Sequence, residues 1–464
     1  MVSAVQAIGA GCAAQGADGD LGPPALAGDA ARPVLYRNGQ PLSAGRFLAQ
    51  ARALADCLPA TPYLVNLCED RGHFLVAFCA ALLAGRTTLL PPARTDRAVA
   101  EIAADWAPAS VIDDALVAQA CARAGTASED PACLPGIPVD RVVAVGFTSG
   151  STGRPRPNPK TWGAFAGTTR RNDALLRSLD TAAGPRFTLL ATVPSQHMYG
   201  METCVLLPVL GDLAVAVERP LFPQDLAQAL AVLPGTRLLV TTPVHLRALV
   251  GAGVAYPPVA ALVSATAPLD PELARRAEQV FSAPLVEVFG STETCVIGHR
   301  RPTVDPLWQP YPGLRLRPCE EGTRVEAGWL PEPVLLQDHL CFADDGRFQV
   351  VGRCQDMVEI AGKRASLGDI TRRLLAIPGV EDAAVFQSPH ADGAGVHRIE
   401  VALVAAGLSD AEVLAELRAS LDPVFVPRRL HRLASLPRNE TGKLCRDALL
   451  SGLPGGPPPA TLAT

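Results

Sequence analysis

A chain of 464 residues, 48% of them hydrophobic and 19% charged, has room for more than one core and the balance of an ordinary globular protein. A net charge of -5 leaves no basic footprint for nucleic acid, and among 12 cysteines and 8 histidines there is no C-x-x-C or H-x-x-x-H pair, which excludes the usual zinc spacings. The cysteines read as reduced thiols of a cytoplasmic protein, and the longest apolar stretch, FLVAFCAALLAG from Phe74 to Gly85, is a core helix too short to span a bilayer.

Residues 1–32 form an Ala/Gly-rich leader without the basic start of a secretory signal, and are expected to be disordered. Asn38-Gly39 between short apolar runs predicts a hairpin, and Ser43 is placed to cap a helix whose apolar residues Phe47, Leu54 and Leu58 recur at helical spacing. Short β-rich runs then alternate with helical ones: YLVNLC, TTLLPP, SVIDD, RVVAVGF, FTLLATV, DLAVAV, RLLVTT, VAALVSA and PLVEVF. This rhythm predicts an α/β fold, a large layered N-terminal domain over 33–352. Beyond it the texture changes to a small α+β unit over 353–450, with the boundary at Arg353–Asp356 and a Pro/Gly-rich tail, 451–464, expected to be disordered.

The stretch FTSGSTGRPRPNPK, Phe147 to Lys160, sets hydroxyls and glycines against a proline-spaced run of cations, which suits the oxygens of a phosphate. It is not a Walker A loop, because Gly153 is followed by Arg154-Pro155 rather than Lys-Ser/Thr. A mobile surface connection is the plain alternative. Lysine stands only at Lys160, Lys363 and Lys443, so each position asks for a reason that arginine does not satisfy.

Four segments in order, TSGSTGRP (148–155), VFGSTET (288–294), GRCQDMVEIAGKR (352–364) and PRNETGK (437–443), supported by VPSQHMYG and QDHL, resemble the AMP-forming acyl/aryl-acid ligase superfamily of acyl-CoA synthetases, adenylation domains and luciferases. LVNLCEDRGHFLVAFCAALLAGRTTLLPP is further similar to the ligases of aryl-polyene and xanthomonadin pigment clusters. The resemblance implies a small C-terminal domain that moves, and ATP and Mg²⁺ as cofactors. It implies that Thr148, Ser149, Gly150, Ser151, Thr152 and Gly153 close over the ATP phosphates, with either Arg156 or Lys160 touching the pyrophosphate. Phe289, Gly290 and Ser291 then sit beside adenine, Thr292 at the α-phosphate and Glu293 on magnesium, while Ala265 and Thr266 replace the glycines of the family's adenine-binding turn. Asp338 and Arg353 grip the ribose, His197, Tyr199 and Gly200 face the carboxylate substrate, Gln355 and Asp356 form the hinge, and Lys443 is catalytic. Glu359 and Lys363 belong either to a loop that swings toward the thiol tunnel or to a plain surface hairpin.

The activity so implied is adenylation of a carboxylic acid with release of pyrophosphate, then transfer of the acyl group to the pantetheine thiol of CoA or an acyl carrier protein. SQHMYG offers no aspartate to pair with an α-ammonium, which argues against an amino acid. An aryl acid such as a hydroxybenzoate is the expected substrate, a medium-chain fatty acid the alternative. A silenced nucleotide-binding scaffold is the reading from another class, opposed by the joint presence of Glu293, Asp338 and Lys443.

Overall fold

The computed structural model describes residues 20–453 apart from 27, 93, 125–132, 150–154, 180–185, 354–356, 361–362, 392–396, 422 and 440–441. Among them two large sheets carry the N-terminal part. One has five strands in the order Ala109–Ile112, Tyr63–Asn66, Thr87–Leu90, Val142–Ser149, Pro155–Thr161, parallel except for the last, which turns back antiparallel on its neighbour. The other has nine, from the Gln309–Pro310 edge through Cys295–Arg300, Leu285–Ser291, Ala261–Ser264, Thr236–Thr241, Phe187–Ala191, Ala214–Ala216 and Pro33–Arg37 to Gln40–Ser43. Its interior pairs are parallel and its edges antiparallel. Continuous runs such as FTLLA and ALVS are buried along their whole length, as strands covered on both faces must be.

The helix Arg71–Leu83 is buried on nearly every side, and its Phe74, Leu75 and Phe78 join one cluster with residues of both sheets. Asp70 caps it by accepting from the His73 N–H, and Ser43 caps Ala44–Ala55 in the same way through Arg46. Arg71, the first residue of the helix Arg71–Leu83, is buried. Its guanidinium, 3% exposed, donates to the carbonyls of Ala191, Val193, Ala216 and Glu218, and so pins together the C-terminal ends of two parallel strands.

Two expectations need correction. Residues 20–32 are not loose: Ala25 and Leu26 are fully buried, the Leu26 N–H donates to Val209 O at 2.7 Å, and the Gly22 N–H to Ile137 O at 2.9 Å. Low charge and a few apolar side chains suffice once neighbouring chain supplies backbone partners, which an average over the whole leader conceals. At the other end the helix Arg446–Gly452 runs past residue 450 and Leu453 is buried, because its apolar face closes a cluster with Ala384, Phe386, Ala402, Leu436 and Leu449. Residues 1–19 and 454–464 lie outside the described residues.

From Val358 onward the buried side chains form two clusters of their own. One lies between the helices Leu367–Leu375 and Asp410–Ser420 and the strands Val380–Ala391 and His397–Ala405; Ser366 and Ser409 cap the two helices. No helix among the described residues is long and apolar enough to cross a membrane.

Candidate active site

The hairpin that follows Gly146 pairs Thr148 with Arg156 and Ser149 with Pro155, so the intervening Gly150, Ser151, Thr152, Gly153 and Arg154, which lie outside the described residues, connect two strand ends held in register. The Asn158 amide donates to Thr148 Oγ1 at 3.2 Å and fixes the hydroxyl at the mouth. Along the returning strand burial deepens: Arg156 is exposed, whereas Lys160 is 4% exposed and its ammonium donates to the carbonyl of Glu293. The two cations are thereby separated, Arg156 near the loop mouth and Lys160 in the core.

The strand Leu285–Ser291 carries the second motif into a turn closed by hydroxyls. The Ser291 N–H donates to Thr294 Oγ1 at 3.1 Å and the Thr294 N–H returns to Ser291 Oγ at 3.2 Å. A Cβ on Gly290 would stand 2.1 Å from the Cys295 carbonyl, so only glycine permits this approach. A Cβ on Gly146 would meet the Thr292 methyl at 3.0 Å and Met198 Cε at 3.2 Å, which places the first, second and SQHMYG motifs in one spot. Phe289 is half-buried, its ring 5.2 Å from Trp308 and 5.9 Å from Phe348. Behind it Glu287 is buried and accepts from Arg300 Nε at 2.7 Å and from the Leu269 N–H at 3.2 Å; burial raises its carboxyl and Arg300 opposes the rise.

His197 is half-buried and its carbonyl accepts from the Met201 N–H at 2.7 Å, starting the short helical turn Met198–Gly200. A Cβ on Gly200 would fall 1.9 Å from Pro194 O. Tyr199 is buried and its hydroxyl donates to Val263 O at 2.9 Å, because the turn rolls it onto the Ala261–Ser264 strand. That strand leads to Ala265, buried, and Thr266, whose φ of 84° is a glycine conformation occupied by a β-branched residue. Backbone strain of this kind gathers at functional turns.

Asp338, 7% exposed, lies opposite Arg353 in the antiparallel pair of Asp338–Phe342 with Phe348–Arg353, and its carbonyl accepts from Thr323 Oγ1 at 2.8 Å. Gln355 and Asp356 lie outside the described residues, as do the side chains of Ser149, Arg353, Glu359 and Lys363. The loop of Lys443 is held by Arg438, which pairs with both Asp382 oxygens at 2.8 and 2.6 Å and donates to Gly442 O at 2.7 Å. Asn439 Oδ1 accepts from the Lys443 N–H at 2.9 Å. Gly442, with a φ of 78°, lies against the start of the helix Pro243–Gly251, its Cβ position 3.2 Å from Val244 Cγ2 and 3.6 Å from Thr242 Oγ1. Lys443 itself is exposed.

Three residues escape sequence reasoning. Thr242 and Val244 meet the Lys443 loop across nearly 200 residues of chain, which no local pattern signals. Glu202 is 2% exposed and accepts the Val296 N–H at 3.0 and 3.2 Å; a lone acid inside the apolar run MYGMETCVLLPVL was the available sign. Among the described residues no group of three His, Cys, Asp or Glu gathers as a metal cage.

A family model described as AMP-binding enzyme matches residues 25–321. A 4-coumarate–CoA ligase of Rhodobacter capsulatus is 32% identical over 304 residues, covering 65% of this chain and 74% of the relative. Among solved structures, ATP-bound MatB from Rhodopseudomonas palustris superposes with a TM-score of 0.74 at 19% identity, covering 91% of this chain and 95% of the other. The o-succinylbenzoate CoA synthetase of Bacillus subtilis, in complex with its acyl-adenylate intermediate, gives 0.72 at 17% identity, with 90% and 95% covered. At these identities the two structures speak for the fold alone.

Proposed function

Since this chain belongs to the AMP-binding enzyme family, we propose that it is an AMP-forming ligase which activates an aryl carboxylic acid with ATP and passes the acyl group to a pantetheine thiol. The observation that carries the reading is the convergence of Gly146, Met198 and Thr292, with the Lys443 loop seated on Thr242 and Val244. A carboxylate oxygen attacks the α-phosphorus and pyrophosphate leaves; the thiolate then attacks the carbonyl carbon and AMP leaves. Two anions must approach in the first step, so positioning and charge neutralisation are the protein's share.

In this proposal the hairpin mouth, Thr148 to Gly153, takes the β- and γ-phosphates, and Arg156 rather than Lys160 meets the pyrophosphate. Thr292 faces the α-phosphate, Phe289 and the Ala265-Thr266 turn face adenine, and Asp338 with Arg353 takes the ribose. His197 stands at the substrate carboxylate and Lys443 bridges it to the α-phosphate. The family uses ATP with Mg²⁺. A single half-buried carboxylate, Glu293, beside the Thr292 hydroxyl suits magnesium, which keeps few protein ligands and shares the substrate's phosphates. When bound, it supplies positive charge at those phosphates.

The residues from Arg353 to about 450 are the proposed mobile unit, turning at Gln355 and Asp356. An aryl acid is favoured by the resemblance to pigment-cluster ligases and by a relative named for 4-coumarate. Acid-dependent ATP–pyrophosphate exchange over cinnamate-type, benzoate-type, fatty and amino acids tests it, with thioester formation then read with CoA and with carrier protein. Aryl acids are expected to lead. Preference for a free amino acid overturns the substrate assignment, and no exchange with any acid overturns the ligase reading.

A further inference from the structure

The hairpin bearing Thr292 and Glu293 presents two backbone groups to buried side chains. One is the Glu293 carbonyl, which accepts from the Lys160 ammonium; the other is the Val296 N–H, which donates to both Glu202 oxygens at 3.0 and 3.2 Å. Lys160 and Glu202 arrive from different elements, the returning hairpin strand Pro155–Thr161 and the helical segment Met201–Leu206, and both are almost wholly buried. Thr168 and Asn172 of the helix Trp162–Ser178 face the same carboxylate, with Cys295 and Tyr311 nearby, and the Tyr311 hydroxyl donates to Asn172 Oδ1 at 2.7 Å. Cys295 and Tyr311 are kept neutral by burial, which leaves Lys160 as the cation among the groups that act on Glu202.

Burying an ammonium and a carboxylate is costly, and apolar side chains fill a core as well. What apolar side chains cannot do is supply a donor to one end of a tight turn and an acceptor to the other. We infer that Lys160 and Glu202 are positioning residues that hold the turn of Thr292 and Glu293 from beneath, and that Lys160 acts on magnesium-bound ATP through the Glu293 backbone rather than by touching phosphate. This rests on the ligase reading above.

The test uses the full chain, with MgATP as the probe. Binding is measured by calorimetry with magnesium and with EDTA, and the magnesium concentration for half-maximal exchange and the thermal midpoint are read alongside. Lys160→Met removes the hydrogen bond from the ammonium and is expected to raise the half-saturating magnesium concentration, and weaken MgATP binding, by about tenfold. ATP binding in EDTA should change little. Because Lys160→Met leaves Glu202 buried without its cation, a second variant, Lys160→Met with Glu202→Gln, removes both charges while the amide oxygen still accepts the Val296 N–H. The double variant should keep the parent's thermal midpoint and still show the magnesium defect. If it recovers magnesium dependence together with stability, or if Lys160→Met binds MgATP as the parent does, the pair is structural and the inference falls. A parent that binds no MgATP removes the ligase reading, and this inference with it.

Discussion

Glu293 is half-buried and its turn is closed by Ser291, Thr294, Lys160 and Glu202, so its side chain is spared the work of folding. Glu293→Gln keeps the shape and removes the charge proposed to meet magnesium. Exchange should fall severely at limiting magnesium while the thermal midpoint holds; a magnesium titration identical to the parent's counts against the ligand role. Lys443 stands on a loop whose shape is carried by Arg438, Asp382 and Asn439. In its proposed place between the substrate carboxylate and the α-phosphate, one compact cation would lower the adenylation barrier by about 3 kcal/mol, so Lys443→Ala should slow exchange at least ~100-fold. Supplied acyl-adenylate and thiol should still react at near the parental rate, since the proposed mobile unit would take another orientation for the second step. A parallel loss of both half-reactions would assign the lysine to structure.

Parallel strands are joined through their ends, and here one guanidinium does the joining. Arg71 feeds four carbonyls at the C-terminal ends of Phe187–Ala191 and Ala214–Ala216, the edge where open α/β sheets expose their ligand crevices. Arg71→Met leaves those carbonyls buried without donors and is expected to cost on the order of 3 to 5 kcal/mol in urea unfolding, a loss Arg71→Lys only partly relieves because an ammonium lacks the planar fork. A variant within 1 kcal/mol of the parent would mean water takes over the four bonds.

At the scale of the whole molecule, buried carboxyls set a pH dependence of stability. Burial raises Glu202 from its ordinary value to about 7, with the Val296 N–H and Lys160 opposing the rise. The folded chain therefore holds that proton more tightly than the unfolded chain. The stabilisation is complete below the usual glutamate range and is lost as pH climbs through about 7. Comparison of urea midpoints for the parent and Glu202→Gln between pH 4.5 and 8 isolates the effect, on the order of 3 kcal/mol for a shift of this size. The parent's stability relative to the variant should fall across that window; an unchanging difference would show that Glu202 stays charged throughout.

Some of this was legible along the chain because it depends on near neighbours. Runs such as FTLLATV and RVVAVGF announce buried parallel strands, Ser43 announces a helix start, and the order of TSGSTGRP, VFGSTET and PRNETGK announces an adenylate-forming family and its expected donors. Which side of a strand meets the core is decided by what packs there: Arg156 and Lys160 share one face of the hairpin, yet the first is exposed and the second is buried under the Glu293 turn. That the Tyr199 hydroxyl donates to Val263 O is likewise decided only by the fold. Glu202 becomes a support for Val296, and Ala25 and Leu26 become core, only when segments far apart in sequence close around them. Local chemistry is written residue by residue, whereas burial and partnership belong to pairs of distant residues, and those exist only once the chain has folded.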